Sequence, residues 1–401
     1  MKAGWQVKPL HSLALTITDG NWVETKDQSD SGIRLIQTGN IGTGFFKNRC
    51  EKSRYIDDAT FERLRCTEVF PGDCLVSRLP DPVGRSCIIP DTGEKMITAV
   101  DCTIIRFDRD VLLPEFFIYF SMSQSYLTAV ADACTGTTRQ RISRTNLGKL
   151  PIPLPPLDEQ KRIIAILDET FEGLDRARAN AEANLADARE LFEATLREEL
   201  EKNSTDWREC SLSDIGQTVT GSTPRTSETG NTGTFIPFIK PGDFLPDGRL
   251  NYESEGLSEK GAASSRILPP GSALMVCIGA TIGKAGFSDR SIATNQQINA
   301  LVPSVGICGE FVYLQMLSKS FQREVIQNAG QATLPIINKS KWSALKVRMP
   351  HDLSRQEAVT AKMREARNHV SSLEKHFTTT LADLTSLRQS LLQKAFSGEL
   401  G

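Results

Sequence analysis

The chain has 401 residues, 24% of them charged and 39% hydrophobic, and a formal net charge of −2. That length suits two or three domains with full cores, and the composition is ordinary for a globular protein without low-complexity tracts. No apolar run approaches the ~20 residues of a membrane span, and residues 1–20 lack the basic-then-apolar layout of a signal peptide, so a cytoplasmic protein with no membrane partner is expected.

In chain order, the first stretch reads as mostly β. Short apolar or β-branched runs (GIRLIQTGNI, FPGDCLVSR, VGRSCIIP, DCTIIRF) alternate with Gly, Pro and Asp turns. A helical stretch is predicted at about Pro114–Ala133, followed by a Thr/Gly-rich loop and a short strand flanked by proline. Prolines 151, 153, 155 and 156 cannot sit inside a helix and end this module with an extended spacer. A long polar helix follows, with Asp158 as its N-cap and acids in its first turn. A second β-rich stretch (FIPFIKPGDF, PPGSALMVCIG, INALVP) leads to a helical stretch at about Cys308–Ala329 and then to a second long helix. The expected domains are therefore 1–156, the helix 157–202, 203–350 and the helix 351–401.

The two halves repeat each other. Trp5 opens GWQVKPLHSLA and Trp207 opens DWRECSLSDIG, while ISRTNLGKLPIPLP at Ile142–Pro155 is answered by INKSKWSALKVRMP at Ile337–Pro350. An offset near roughly 200 residues indicates a duplication and not a short repeat array. The fold class expected is α+β: two similar modules with twisted or barrel-like sheets, and two long helices. Heptad seams run through Ile164, Leu167, Phe171, Leu174, Leu185 and Phe192 in one helix. The other carries Met363, Val370, Leu373, Phe377, Leu384, Leu387 and Leu391. Each helix of about 43 residues would be roughly 65 Å long. A pseudo-twofold relation between the copies predicts antiparallel pairing as a coiled coil. The alternative is that each helix packs along its own module.

The charge is unevenly divided. Residues 1–155 carry 19 Lys/Arg against 18 Asp/Glu, residues 203–350 carry 14 against 12, and residues 158–202 carry 7 against 13. The acidic excess lies in one helix, so the modules are free to present a basic face.

Catalytic constellations are missing from the sequence. Gly279–Ala285 is one residue short of a phosphate loop and lacks the Ser/Thr after lysine, so it reads as a tight turn. No glycine-rich strand–helix turn is followed by an acid about twenty residues on, and no Asn/Asp-Pro-Pro-aromatic tetrapeptide occurs. Pro80-Asp81 precedes Glu94, but residue 96 is Met, so the lysine of a nuclease set is absent. His11, His351, His369 and His376 lie far apart or on the last helix. The nine cysteines are scattered singly with no Cys-x-x-Cys, which predicts reduced, mostly buried thiols and no metal site. No catalytic residue is expected, and none for a metal.

The string LPIPLPPLDEQKRIIAILD (Leu150–Asp168), with a looser second copy near the C-terminus, resembles the specificity subunit of type I restriction–modification enzymes. RLIQTGNI (Arg34–Ile41), FPGDCLVSR (Phe70–Arg78) and LLQKAFSGEL (Leu391–Leu400) support the likeness, which covers the whole chain. The second copy, PHDLSRQEAV, keeps Gln356 but has Arg355 where the first has Glu159. The resemblance implies a DNA-binding, non-catalytic subunit with two target-recognition domains held apart by an antiparallel coiled coil. It further implies two methyltransferase (modification) subunits and restriction (motor–nuclease) subunits as partners. Any S-adenosylmethionine, ATP and Mg would belong to those partners, with no cofactor in this chain.

Two diverged modules on a rigid spacer would read two different half-sites, giving a bipartite, asymmetric double-stranded target. Base-reading residues should be Arg, Lys, Gln and Asn on loops that reach the major groove. In the first module the candidates are Arg78, Arg85, Arg139, Gln140, Arg141 and Arg144. In the second they are Lys284, Asn295, Gln296, Gln297, Gln331, Asn338, Lys339 and Lys341. For each of these the competing reading is a solvated charge or a turn cap. For the whole chain the alternatives are a coiled-coil scaffold that reads no sequence and a cryptic stand-alone DNA enzyme.

Overall fold

The computed structural model describes residues 4–136, 140–201, 207–225, 228–245, 248–330 and 334–400. The chain forms two compact units, one of residues 1–181 with 379–401 and one of residues 182–378.

Unit 1 contains β1 (Gln6–Pro9), β2 (Ala14–Asp19), β3 (Ile33–Ile36), β4 (Tyr55–Ile56), α1 (Asp58–Leu64), β5 (Glu68–Val69), β6 (Cys74–Ser77), β7 (Ser86–Ile88), β8 (Met96–Thr98) and β9 (Cys102–Phe107). Then come α2 (Pro114–Ser121), α3 (Gln124–Asp132), α4 (Arg144–Gly148), β10 (Pro151–Leu154) and the start of α5 (Leu157–Glu201). One antiparallel sheet has the order β2-β9-β6-β7, a second the order β4-β3-β8-β5, and β1 pairs with β10. Strand alternation puts Cys74 and Val76 against the helices and Leu75 against the second sheet. Both faces of β6 are thus covered, which explains why it reads as an unbroken apolar run.

Unit 2 repeats this with β11 (Trp207–Ser211), α6 (Leu212–Ile215), β12 (Gly216–Thr220), β13 (Thr232–Ile239), β14 (Gly256–Leu257), α7 (Glu259–Ala263), β15 (Ile267–Leu268), β16 (Ser272–Val276), β17 (Ala285–Ser288), β18 (Ile292–Thr294) and β19 (Ile298–Pro303). It continues with α8 (Gly309–Leu317), α9 (Lys319–Ala329), α10 (Lys339–Ser343), β20 (Lys346–Pro350) and most of α11 (Leu353–Ser397). The orders β12-β19-β16-β17 and β14-β13-β18-β15, with β11 on β20, match unit 1 strand for strand. In both units the second sheet holds one parallel pair, β3 on β8 and β13 on β18.

Each helical stretch predicted as continuous is two helices. Ser123 caps α3 by accepting from Tyr126 N, and Ser318 caps α9 by accepting from Phe321 N. A serine hydroxyl in the N-cap position competes with helix continuation, which breaks both stretches at the same place. The Gly279–Ala285 segment is the β16–β17 turn, closed by Gly283 N donating to Val276 O at 2.9 Å.

The long helices pair with each other within each unit. In unit 1, Arg162 donates to Leu400 O at 2.7 Å and Arg388 meets Asp175 at 2.7 Å. In unit 2, Arg189 meets Glu374 at 2.7 Å and Lys362 meets Glu199 at 2.6 Å. Numbers rise along α5 as they fall along the partner, so the pairing is antiparallel in both units. Docking on the module occurs as well: Leu167, Phe171, Leu392 and Phe396 join the unit 1 core, and Leu196, Leu200, Val359 and Met363 join that of unit 2. The two readings of the helices are therefore not exclusive.

Most seam positions are buried or half-buried, namely Ile164, Leu167, Phe171, Leu174, Leu185, Phe192, Met363, Val370, Phe377, Leu384 and Leu391. Two are not: Leu373 is 39% exposed and Leu387 is 47% exposed. Glu374 and Arg388 occupy the packed face instead. A straight helix drifts against a strict 3.5-residue repeat, and here the drift is absorbed by two polar residues with partners across the pair. Arg388 also lies 4.1 Å from the Phe171 ring centroid.

Candidate nucleic-acid interface

At one end of the β2-β9-β6-β7 sheet, unit 1 gathers three arginines and two aspartates. Asp19 closes β2, Arg78 follows β6, Asp101 precedes β9, and Arg141 and Arg144 lead into α4. Arg78 lies 3.4 Å from Asp19, Arg141 lies 2.8 Å from Asp101, and Arg144 lies 4.0 Å from Asp19. Thr103 fixes Asp19 from the neighbouring strand with a 2.8 Å hydrogen bond. Backbone contacts hold the segments together: Arg78 N donates to Asp101 O, and Ile142 N donates to Arg78 O.

The candidates do not share one environment. Arg78 is 5% exposed, donates to Val100 O at 2.6 Å, and keeps its Nε buried without a hydrogen-bond partner. Burial pulls its guanidinium below the ordinary arginine value, while Asp19 pulls the other way. Arg141 and Arg144 keep about half of their side-chain surface in solvent, so they carry the accessible positive charge. Gln140 is exposed as well, and Arg139 lies outside the described residues.

Arg85 departs from the expectation that it reads bases. It is 7% exposed, and its guanidinium donates to the carbonyls of Ile41, Leu79, Pro82 and Thr38 at 2.8–2.9 Å. With its donors committed to backbone, Arg85 joins the loop after β3 to the β6–β7 turn. It is a fastener beneath the surface and has no free edge for a base.

Unit 2 repeats the backbone but not the chemistry. Cys277 N donates to Gln297 O and Ile337 N donates to Cys277 O, which are the counterparts of the Arg78 bonds above. Cys277 thus stands where unit 1 has Arg78, Gln297 where it has Asp101, Ile336 where it has Arg141, and Lys284 where it has Arg85. Gln296 is exposed and accepts from Thr223 Oγ1 at 2.6 Å. Asn295 is buried and donates to the Gln297 side chain at 2.9 Å, so it positions Gln297. Lys284 and Lys339 are exposed; Lys341 is exposed with Nζ 3.4 Å from Asn328 O. Asn338 caps α10 by accepting from Lys341 N at 2.9 Å, which uses its oxygen. Gln331 lies outside the described residues.

Sequence reasoning missed Asp19 and Asp101. Isolated acids at strand ends give no sequence signal, and only the sheet brings them against the arginines. An arginine held by a carboxylate is presented in a fixed pose, which favours bidentate recognition over nonspecific attraction.

The family model for the type I restriction modification DNA specificity domain matches residues 3–183 and 204–377. The chain belongs to this family. Its two matched segments correspond to the duplicated halves of this specificity-domain protein. It is 24% identical to the type I restriction enzyme HindI specificity subunit of Haemophilus influenzae, over 91% of this chain and 94% of that one. It is 23% identical to the EcoBI specificity subunit of Escherichia coli, over 71% and 65%. Its fold is similar to that of a solved chain from work on complex assembly and conformational transition of the type I R-M system, with a TM-score of 0.81 at 20% identity, covering 100% and 99% of the two chains. The HsdS subunit from Thermoanaerobacter tengcongensis gives a TM-score of 0.62 at 19% identity, covering 100% and 98%.

Among the described residues, no helix of this specificity-domain protein is long and apolar enough to cross a membrane.

Proposed function

We propose that the chain is the non-catalytic, DNA-reading specificity subunit of a type I restriction–modification complex, acting in the cytoplasm. Each unit reads one half of a bipartite, asymmetric duplex target. Two methyltransferase subunits and the restriction subunits bring the S-adenosylmethionine, ATP and Mg chemistry, and this chain tells them where to act.

One observation carries this reading: a single backbone frame presents different side chains at the same end of two equivalent sheets. Unit 1 offers arginines held by aspartates, whose forked donors match guanine O6 and N7. Unit 2 offers Gln296 and Gln297, whose amides match adenine, beside exposed Leu334 and Ile336, which suit a thymine methyl. A scaffold that reads no sequence gives no physical reason for the frame to persist while its exposed end diverges.

The test is sequencing of the modified motif in cells that carry the complex, with residues 1–150 exchanged for those of a relative. One half of the motif should change and the other should persist. Changes in both halves would mean that the units are not independent readers.

A further inference from the structure

Unit 1 contains a polar cavity of about 420 Å³ between the loop after β3 and the segment leading into β4. Gln37, Asn40 and Ser53 line it together with Arg49, Lys52 and Arg54. The three cations are exposed, and among the described residues none of them forms an ion pair. The Arg49 guanidinium lies directly over Gly39, where a Cβ would stand 2.4 Å from Nη1, so the glycine leaves room for that side chain.

The loop that floors the cavity is held by hydrogen bonds from within and from below. Gln37 N donates to Asn40 Oδ1 at 3.0 Å, and Asn40 Nδ2 donates to Lys47 O at 3.1 Å. Arg85 holds the carbonyls of Thr38 and Ile41 from below, and it also holds Leu79 O beside Arg78. The cavity loop is therefore fastened to the turn that carries Arg78, one member of the arginine cluster.

Unit 2 supplies an internal comparison. Lys240 N donates to Asp243 Oδ2 as Gln37 N does to Asn40, and Phe238 N donates to Glu255 O as Leu35 N does to Arg54 O. Lys240 and Glu255 thus stand where unit 1 has Gln37 and Arg54, and in unit 2 these two form an ion pair with each other. At this pair of positions unit 2 has an ion pair, where unit 1 has Gln37 beside Arg54, which has no ion pair among the described residues.

We propose that the Arg49–Lys52–Arg54 cavity of unit 1 is a phosphate-binding site that unit 2 lacks. The proposal rests on the DNA-reading function insofar as the phosphate belongs to a duplex backbone; a free phosphate group has the same chemistry. Three cations around a preorganised polar floor fit a doubly charged tetrahedral anion or a backbone phosphodiester, whereas unit 2 has the acid Glu255 in place of Arg54, already paired with Lys240.

The experiment uses the full chain assembled with its methyltransferase subunits. Arg49→Ala, Arg54→Ala and the double change Gln37→Lys with Arg54→Glu are compared with the unchanged protein. The double change installs a side-chain pair that the unit 2 frame already accommodates, so it guards against a variant that simply fails to fold. Affinity for the cognate duplex is measured at several salt concentrations, and inorganic phosphate is titrated separately by calorimetry. Each removed cation is expected to lower the slope of log affinity against log salt by about one. If the slope stands and the phosphate titration is lost, the site takes free phosphate. If neither changes, the proposal is overturned. Failure of the unchanged complex to prefer its cognate duplex would instead defeat the DNA-reading function, and it is seen in the same data before any variant is compared.

Discussion

Leu113 N, just before α2, donates a 2.9 Å hydrogen bond to the Oε1 of Gln160 in the first turn of α5. The Nε2 of Gln160 donates in turn to Val111 O and Pro155 O, both at 2.9 Å, and its side chain is fully buried. In unit 2, Gln356 accepts from Cys308 N at 2.9 Å and donates to Pro350 O at 3.1 Å. One amide therefore fixes the direction in which each long helix leaves its module. A side-chain amide supplies two N–H donors and an acceptor at once, and both copies use one here although Gln160 follows a glutamate and Gln356 an arginine.

Gln160→Ala should destabilise unit 1 by about 3 kcal/mol, because it strands buried backbone groups at ~1–3 kcal/mol each. Gln160→Glu should also destabilise, in a pH-dependent way. A buried carboxylate facing two carbonyls has its pKa raised, so the folded variant holds its proton more firmly than the unfolded chain does. Its stability should then rise as pH falls through the raised value, whereas Gln160→Ala should show no such trend. Chemical denaturation across roughly pH 4–8 distinguishes them.

The Asp19–Arg78 contact predicts a second effect. Asp19→Asn leaves the Arg78 charge buried with its carboxylate gone, and removing one partner of a buried pair costs about 3–5 kcal/mol. Asp19 is partly solvated, so about 2 kcal/mol is expected. Replacing Arg78 by Met in the same background should recover part of that loss, measured by urea unfolding of the full chain.

Arg139, Arg141 and Arg144 are separable by their mode of contact. A base-reading arginine contributes about 1–3 kcal/mol of discrimination against a changed base, while a phosphate contact weakens all sequences alike and sets the salt slope. Alanine substitution of at least one should weaken cognate binding by the assembled complex. Unchanged affinity and slope in all three would move the reading surface elsewhere on unit 1.

Burial pushes the thiols of Cys87, Cys102 and Cys277 up to about 12. Since the thiolate is the nucleophile, these three should be inert to an aromatic disulfide reagent in the native protein at neutral pH. Cys50 is exposed and should react within the mixing period. Addition of denaturant should release all nine. Fast native labelling at Cys277 would contradict the packing beneath the unit 2 sheet end.

Inserting one heptad into α5 and a matching one into α11 lengthens each helix by about 10 Å. The spacing between the half-sites should grow while the half-sites stay the same, read from the modified motif in cells.

Much of this protein is written in its sequence. The repeat, the proline-flanked strand and the uninterrupted apolar periodicity fix two β-rich modules and two long helices, because these signals depend on local backbone chemistry and period. The breaks at Ser123 and Ser318 are not legible in the apolar pattern, which runs on through both serines; the N-cap bonds to Tyr126 N and Phe321 N split each stretch in two. Nor are the partners of a side chain. Arg78, Arg85 and Arg141 look alike in sequence, yet tertiary structure buries one beside Asp19, spends another on four carbonyls, and leaves the third half in solvent. Leu373 and Leu387 satisfy a heptad but face solvent, since the drift of a real helix and the ion pairs of Glu374 and Arg388 decide the seam. Local pattern determines which elements form; burial and charge pairing, which depend on residues far apart in the chain, decide which side chains remain free to meet DNA.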